Sequence, residues 1–308
     1  MKKAYFYIDD VIWCFRDIAR QKPKSIYDIP FMGMLKESHD KYGMKVQLNV
    51  FLRTDFYYGN DEFYLSEMPD FYKPEFETAS DWLKFGFHAK QEFPDYPYVN
   101  ATYEDVKADF DETKAQVIRF AGEKSFANAV VTHWRPMSKA GCKALYDSGI
   151  RLMTVSSGPT TEYTGNPSVL PYGHAGRLLQ NRQPETKIYS RGSKDVAIDA
   201  SITGYNHVPH ELVAGNEHNL NYYTDPETGM GFKKFSTAPC LNLSTLAELE
   251  VEFPETIGPE YLGYATHEQY FYSDYYNYQP EYPAKILWAA EFIQKSGYEY
   301  FFIEEIVK

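Results

Sequence analysis

Residues 4–8 read AYFYI and run directly into two carboxylates, Asp9 and Asp10. A short apolar strand ending in paired acids sets them at the rim of a sheet or barrel, where active sites are built, and strand alternation sends consecutive side chains different ways. One of the two can then hold a cation while the other accepts a proton. In a chain with 43 acidic residues such a pair is more often a solvated strand end. Its meaning therefore rests on the order of the segments after it.

Beyond Asp10 the chain alternates strands with amphipathic helices, the pattern of parallel strands joined by crossovers. A helix is expected from about Pro30 to Tyr42, with Asp28 as its N-cap and Gly43 as its stop. Lys45–Leu52 and Leu83–Phe87 read as strands, the second ending at His88. A long helix over about Tyr103–Ala121 carries Val106, Phe110, Val117 and Phe120 on one face, opened by Thr102 and Asp105 and followed by Gly122. Ala127–Thr132 is a strand ending in His133, Trp134, Arg135 and Pro136; a helix over Ser138–Tyr146 leads to a strand at Arg151–Val155. From about residue 156 to 254 the regularity gives way to Gly, Pro, Asn and Thr, with a turn at Asp225, Pro226 and Gly229 and a sixth strand expected at Asp195–Ile202. Tyr261–Thr266 is a strand ending at His267, Glu268 and Gln269, followed by a helix from about Pro283 to Ser296 and a closing strand at Tyr298–Ile306. No repeat or linker composition marks a second domain. The expected fold is α/β: one irregular (β/α) barrel of about seven parallel strands over residues 1–308, elaborated at 156–254.

The formal net charge is −12, and the 31 basic residues are scattered, which disfavours nucleic acid and an anionic membrane surface as partners. Lys2 and Lys3 precede an apolar stretch, but Asp9 and Asp10 interrupt it before a signal-like core forms. No apolar run approaches the roughly 18 residues of a membrane helix. Cys14, Cys142 and Cys240 lie far apart without ligand spacing, so a reduced cytoplasmic protein is expected. Aromatic residues make up 17% of the chain, with 28 tyrosines, whose flat faces and hydroxyl edges suit sugar rings as well as ordinary packing. Nothing in the pattern fixes an oligomeric state.

In a parallel barrel the strand ends at Asp9 and Asp10, His88, Arg135 and His267 converge on one face. His88 and Glu92 lie four apart in HAKQE, a spacing that brings two ligands to one side if the backbone turns helically after the strand. With one aspartate they form a three-ligand site open to water. His207, His210 and His218 fall in an irregular polar stretch and read as solvated. A nucleophile elbow, a phosphate-cradling glycine loop and a dinucleotide fingerprint are all missing; Gly229 and Gly231 have the wrong continuation.

Taken in order, these motifs resemble the polysaccharide deacetylase family, carbohydrate esterase family four. FYIDD resembles its first motif, which implies that Asp9 is the general base and Asp10 a metal ligand. GFHAKQE resembles the second motif, normally a histidine pair; His88 carries over as a ligand, while Glu92 stands in place of the second histidine. WRP at Trp134–Pro136 is similar to the third motif, whose arginine orients the base, so Arg135 takes that role; Met137 replaces the aromatic that comes next. ATHEQ at Ala265–Gln269 sits where the last motif falls, which implies His267 as general acid. The fourth motif is unrecognisable, with Asp199 the nearest candidate.

The resemblance implies removal of N- or O-acetyl groups from a carbohydrate or small acetylated substrate, with a divalent ion, expected to be zinc, on Asp10, His88 and Glu92. Two other readings remain open on the residues alone. A glycosidase would pair Asp9 with Glu268 or Glu92. A catalytically inactive barrel that binds sugar would use Glu92 in place of a histidine as a mark of a decayed metal site.

Overall fold

A computed structural model describes residues 1–54, 62–92, 97–98, 101–135, 137–155, 210–236, 238–275 and 277–307. The segment AYFYIDD lies inside β1 (Lys2–Val11), the strand around which the rest is arranged. Its pleat divides the apolar residues cleanly. Ala4, Phe6 and Ile8 join the large core under the helices, whereas Tyr5 and Tyr7 join a second cluster with Ala129, Val131, Leu152, Tyr261, Ala265, Phe301 and Ile303. Burial on both faces explains the unbroken apolar run.

The strands β2 (Val46–Phe51), β3 (Leu83–Ala89) and β8 (Tyr261–His267) build the order β3-β2-β1-β8 in parallel, and β9 (Tyr298–Tyr300) pairs with the first residues of β1. A second sheet has the order β4-β5-β7-β6, from β4 (Ala129–Val130), β5 (Leu152–Val155), β7 (Gly231–Lys234) and β6 (Tyr223–Thr224), the last antiparallel. Isolated parallel bridges flank the first sheet, Phe85 of β3 with Phe126 on one side and Ala265 of β8 with Cys240 on the other, both partners lying outside the strands of the second sheet. A continuous ladder of seven strands is therefore not what the described residues form. β4 is only two residues long, and the junction beside it is carried by the Ala127 N–H donating to the Phe85 carbonyl at 2.8 Å.

Four of the helices among the described residues stand where the sequence pattern puts them, and four others were not expected. α1 (Trp13–Gln21), which the pattern did not reveal, succeeds β1 at once; α2 (Pro30–Tyr42) stops at Gly43 with φ 67°, and Asp28 closes the preceding turn with Ser25 instead of capping α2. α3 (Lys73–Ala79) leads into β3. α4 (Tyr103–Ala121) is capped by Thr102, which accepts from the Asp105 N–H at 3.1 Å, and α5 (Lys139–Asp147) by Ser138. α6 (His210–Ala214), α7 (Leu246–Glu252) and α8 (Tyr282–Lys295) complete the set. The closing strand is shorter than expected: after Tyr300 the chain turns into a 3-10 segment at Ile303–Ile306, where the Glu305 carboxylate accepts the Phe302 N–H at 2.8 Å. The strand expected at Asp195–Ile202 lies outside the described residues. No described helix is long and apolar enough to cross a membrane.

Candidate metal centre

At its upper end β1 departs from regular pleating. Asp10 has φ 62°, the left-handed region, and the register with β2 shifts between Ile8 and Val11. In a regular strand Asp9 and Asp10 would face opposite ways. The kink instead lets both reach one imidazole: Asp9 Oδ1 lies 3.7 Å from His88 Nδ1, and Asp10 Oδ1 lies 3.1 Å from His88 Nε2. Aspartate tolerates this conformation better than most residues, at a cost on the order of 1 kcal/mol that the surroundings must offset.

Three ligating atoms meet beside that kink. Asp10 Oδ1, His88 Nε2 and His133 Nδ1 form a triangle with edges of 3.1, 3.1 and 3.2 Å, and all three residues are buried. The outer nitrogens fix the tautomers. His88 Nδ1 sits 2.5 Å from the Val131 carbonyl and His133 Nε2 3.1 Å from the Glu92 carbonyl, so each ring donates outward and turns a lone pair inward. The second carboxylate oxygen of Asp10 accepts from Gln269 Nε2 at 2.8 Å. Three such ligating atoms facing one another in a buried space could hold a metal ion. A tetrahedral site with bonds of about 2.0–2.1 Å has ligand-to-ligand edges of about 3.3–3.4 Å, so the donor set fits a divalent ion of zinc size. Burial opposes the charge on Asp10, yet the imidazoles of His133 and His88 beside it, at 3.2 and 3.1 Å, hold its carboxyl well below the usual range. Burial likewise works against an imidazolium at His88, but Asp9 and Asp10 keep its pKa above the ordinary value, whereas burial prevails at His133 and lowers it.

His133 thus occupies the corner expected for Glu92. After β3 the chain does not turn helically: Lys90 pairs through its carbonyl with the Leu52 and Arg53 N–H groups, so the spacing in HAKQE does not bring Glu92 round to Asp10. The Glu92 carboxylate lies 3.8 Å from His133 Nε2, the nitrogen turned away from Asp10. The sequence did carry a signal for His133, a histidine ending an apolar strand as His88 does.

His267 stands where β8 pairs with β1, its Cα partnered with that of Asp9, so the two side chains share a face. Asn242 Oδ1 accepts from His267 Nδ1 at 2.9 Å and from the His267 backbone N–H at 3.1 Å, which leaves Nε2 as the nitrogen for proton transfer. Cys240 Sγ lies 3.8 Å from the same Nδ1.

Arg135 closes a pair of consecutive left-handed residues, Trp134 at 62° and Arg135 itself at 74°. The turn sends its guanidinium inward, where it hydrogen-bonds the Tyr7 hydroxyl and, at 3.4 Å, Thr154 Oγ1, beside the rings of Tyr7 and Phe235. Asp9 takes its hydrogen bond from Asn49 Nδ2 at 2.7 Å, whereas Arg135 was expected to orient it. Arg135 reaches one step deeper, to the tyrosine two residues before Asp9 on the same face.

Glu268 is fully buried and committed elsewhere. Its oxygens accept the N–H groups of Ile12, Trp13 and Cys14 at 2.7–2.8 Å, at the start of α1, and the Tyr272 hydroxyl at 3.2 Å. Burial pushes its pKa up to about 7, against those backbone donors. These contacts tie both of its oxygens to the start of α1 and to Tyr272. His218 is exposed; Asp199, His207 and the His210 side chain lie outside the described residues.

No protein-family model matches the sequence. A search of curated proteins likewise finds no match. Among solved structures, the 4-alpha-glucanotransferase of Thermococcus litoralis is similar at 11% identity and TM-score 0.54, covering 99% of this chain and 40% of that one. The chain is also similar to carbohydrate deacetylases. Agd3, a carbohydrate deacetylase, matches at 11% identity and TM-score 0.43 over 95% of this chain and 50% of that one. A family 4 acetyl xylan esterase from Clostridium thermocellum, solved with a cobalt ion, matches at 14% identity and TM-score 0.31 over 65% and 96%. The glucanotransferase likeness establishes the α/β fold and nothing of the chemistry, and this chain spans well under half of that enzyme. The weaker scores carry no argument. The chemistry has to come from the donor set.

Proposed function

We propose that this protein is a divalent-metal-dependent hydrolase that removes acetyl groups from a carbohydrate, a divergent member of the polysaccharide deacetylase family, with zinc the ion of choice on Asp10, His88 and His133. The observation that carries the reading is the convergence of three lone pairs within 3.2 Å, each ring held in a ligand tautomer by a backbone carbonyl. A bound divalent ion supplies a Lewis acid that polarises an acetyl carbonyl and brings the pKa of water toward 7.

The remaining steps belong to the chain. Asp9, beside the triad and oriented by Asn49, accepts a proton from the attacking water. His267 Nε2, on the neighbouring strand, delivers a proton to the departing amine or alcohol, with Asn242 fixing its tautomer. Arg135 acts through Tyr7 as a positioning residue below Asp9. Glu92 belongs to the setting of His133, to which it lends its carbonyl.

The test is product analysis on acetylated amino-sugar oligomers with metal-loaded and chelated protein. Acetate release that chelation abolishes and zinc restores is expected. Release of reducing ends indifferent to chelation would instead establish a glycosidase, and tight sugar binding without turnover would establish a binding barrel.

A further inference from the structure

β2 is apolar at both ends but carries two amides, Gln47 and Asn49, at its centre, both completely buried. They are two apart and so share the face of the strand that looks toward Asp9. Burying an amide without partners costs about 1–3 kcal/mol, so two adjacent ones call for a use. Their hydrogen bonds run in one direction. Gln47 Nε2 donates to the Ala129 carbonyl at 3.0 Å and to Asn49 Oδ1 at 2.8 Å. Asn49 Nδ2 donates to Asp9 Oδ1 at 2.7 Å. Because Gln47 claims the oxygen of Asn49, that amide cannot flip without setting its oxygen against the Asp9 carboxylate and its nitrogen against a donor.

Across the ladder from Asn49 stands Gly86. A glycine at the centre of a strand is unfavourable unless another group approaches closely, and its backbone here is not left-handed. A Cβ at that position would lie 2.4 Å from Gln47 Nε2 and 2.6 Å from Asn49 Oδ1. The glycine is required by the space the two amides occupy.

We propose that Gln47, Asn49 and Gly86 form a positioning unit that holds the carboxylate of Asp9 in a single orientation from inside the fold. Gln47 anchors to the backbone of β4 in the second sheet, Asn49 transmits the orientation, and Gly86 leaves the room. As a statement about catalysis this rests on Asp9 being the base of the hydrolysis proposed above; as a statement about geometry it stands alone.

Asn49→Leu, its less bulky companion Asn49→Ala, Gln47→Leu and Gly86→Ala are compared with the wild type in the zinc-loaded full chain. Each is expected to lower kcat for acetate release about 10- to 100-fold, as small misplacements of a reacting group do, with KM within about threefold and zinc stoichiometry unchanged. Crystal structures of the two Asn49 variants are expected to show the Asp9 carboxylate rotated away from its place beside His88. An unchanged kcat, or a kcat that falls only in step with lost zinc, would overturn the positioning role. Should the wild type release no acetate, the hydrolase reading fails, and the inference is decided by the crystal structures alone: Asp9 in its wild-type orientation without Asn49 would refute it.

Discussion

Lys233 places an ammonium group inside the fold, and replacing it by methionine gives a stability change whose size and pH dependence are set by its surroundings. On β7 it is the register partner of Thr154, the residue that Arg135 touches, so its side chain faces inward. It is fully buried, lies 4.0 Å from the centre of the Tyr261 ring, and donates to the Asn216 and Lys234 carbonyls. Burial pulls its pKa from 10.5 down to about 7, with Glu217 opposing the shift and Lys234 adding to it. A base whose folded pKa is depressed binds fewer protons folded than unfolded between those two values. Its contribution to stability is therefore present above about pH 10.5 and lost as pH falls through 7. Three pH units at 1.36 kcal/mol each give about 4 kcal/mol between pH 10 and pH 7. Lys233→Met keeps an unbranched chain of similar length and cannot titrate. Urea unfolding of both proteins at pH 7 and pH 10 should show the variant gaining about 4 kcal/mol on the wild type at pH 7 relative to pH 10. For 308 residues at about 2.1 cal/mol/K each, that is about 6 °C in Tm. Other titrating groups cancel in the double difference. A gap between the two proteins that stays constant within about 1 kcal/mol across this range would refute a desolvated lysine.

Further outcomes concern the site. Asp9→Asn should retain zinc and lose about 100- to 10,000-fold in acetate release; loss of the metal with activity would exchange its duty with that of Asp10. His267→Gln should cripple cleavage of acetamides, whose amine must be protonated to leave, and spare nitrophenyl acetate, so equal losses on both substrates would remove the acid role. His133→Ala should abolish zinc binding while Glu92→Gln keeps it, as read by elemental analysis after dialysis; the opposite pattern would return the third corner to Glu92. Glu268→Gln should leave the products of turnover unchanged, and selective loss of sugar-chain cleavage in that variant would revive the paired-carboxylate reading.

The legible part of this molecule was the part written in periodicity. β1, β2, β3, β8, α2 and α4 stand nearly where their apolar patterns put them, because burial on both faces of a strand or one face of a helix leaves an unambiguous trace. β7 escaped notice because GFKK reads as a polar turn, and only its neighbours in space reveal that Lys233 is buried. α1 was hidden because its cap comes from Glu268, some 250 residues away, and no local residue announces it. At the candidate centre, Asp10 and His88 stand at strand ends as the sequence places them, and the structure brings them together with His133. Glu92 misled because ligand spacing along a chain signals shared geometry only if the chain turns as assumed, and here it continues alongside β2. Asn49 and Asn242 carry no motif, and Gln269 enters only as the last residue of ATHEQ; polar residues within apolar strands or in turns acquire meaning only from the groups they face.

The most direct measurement is a crystal structure of the zinc-loaded protein with anomalous data at the zinc edge. One ion is expected, within about 2.0–2.2 Å of Asp10 Oδ1, His88 Nε2 and His133 Nδ1, with Asp9 and Glu92 uncoordinated. An ion ligated by Glu92 in place of His133, or full zinc occupancy at any other place with the triad empty, would contradict the account.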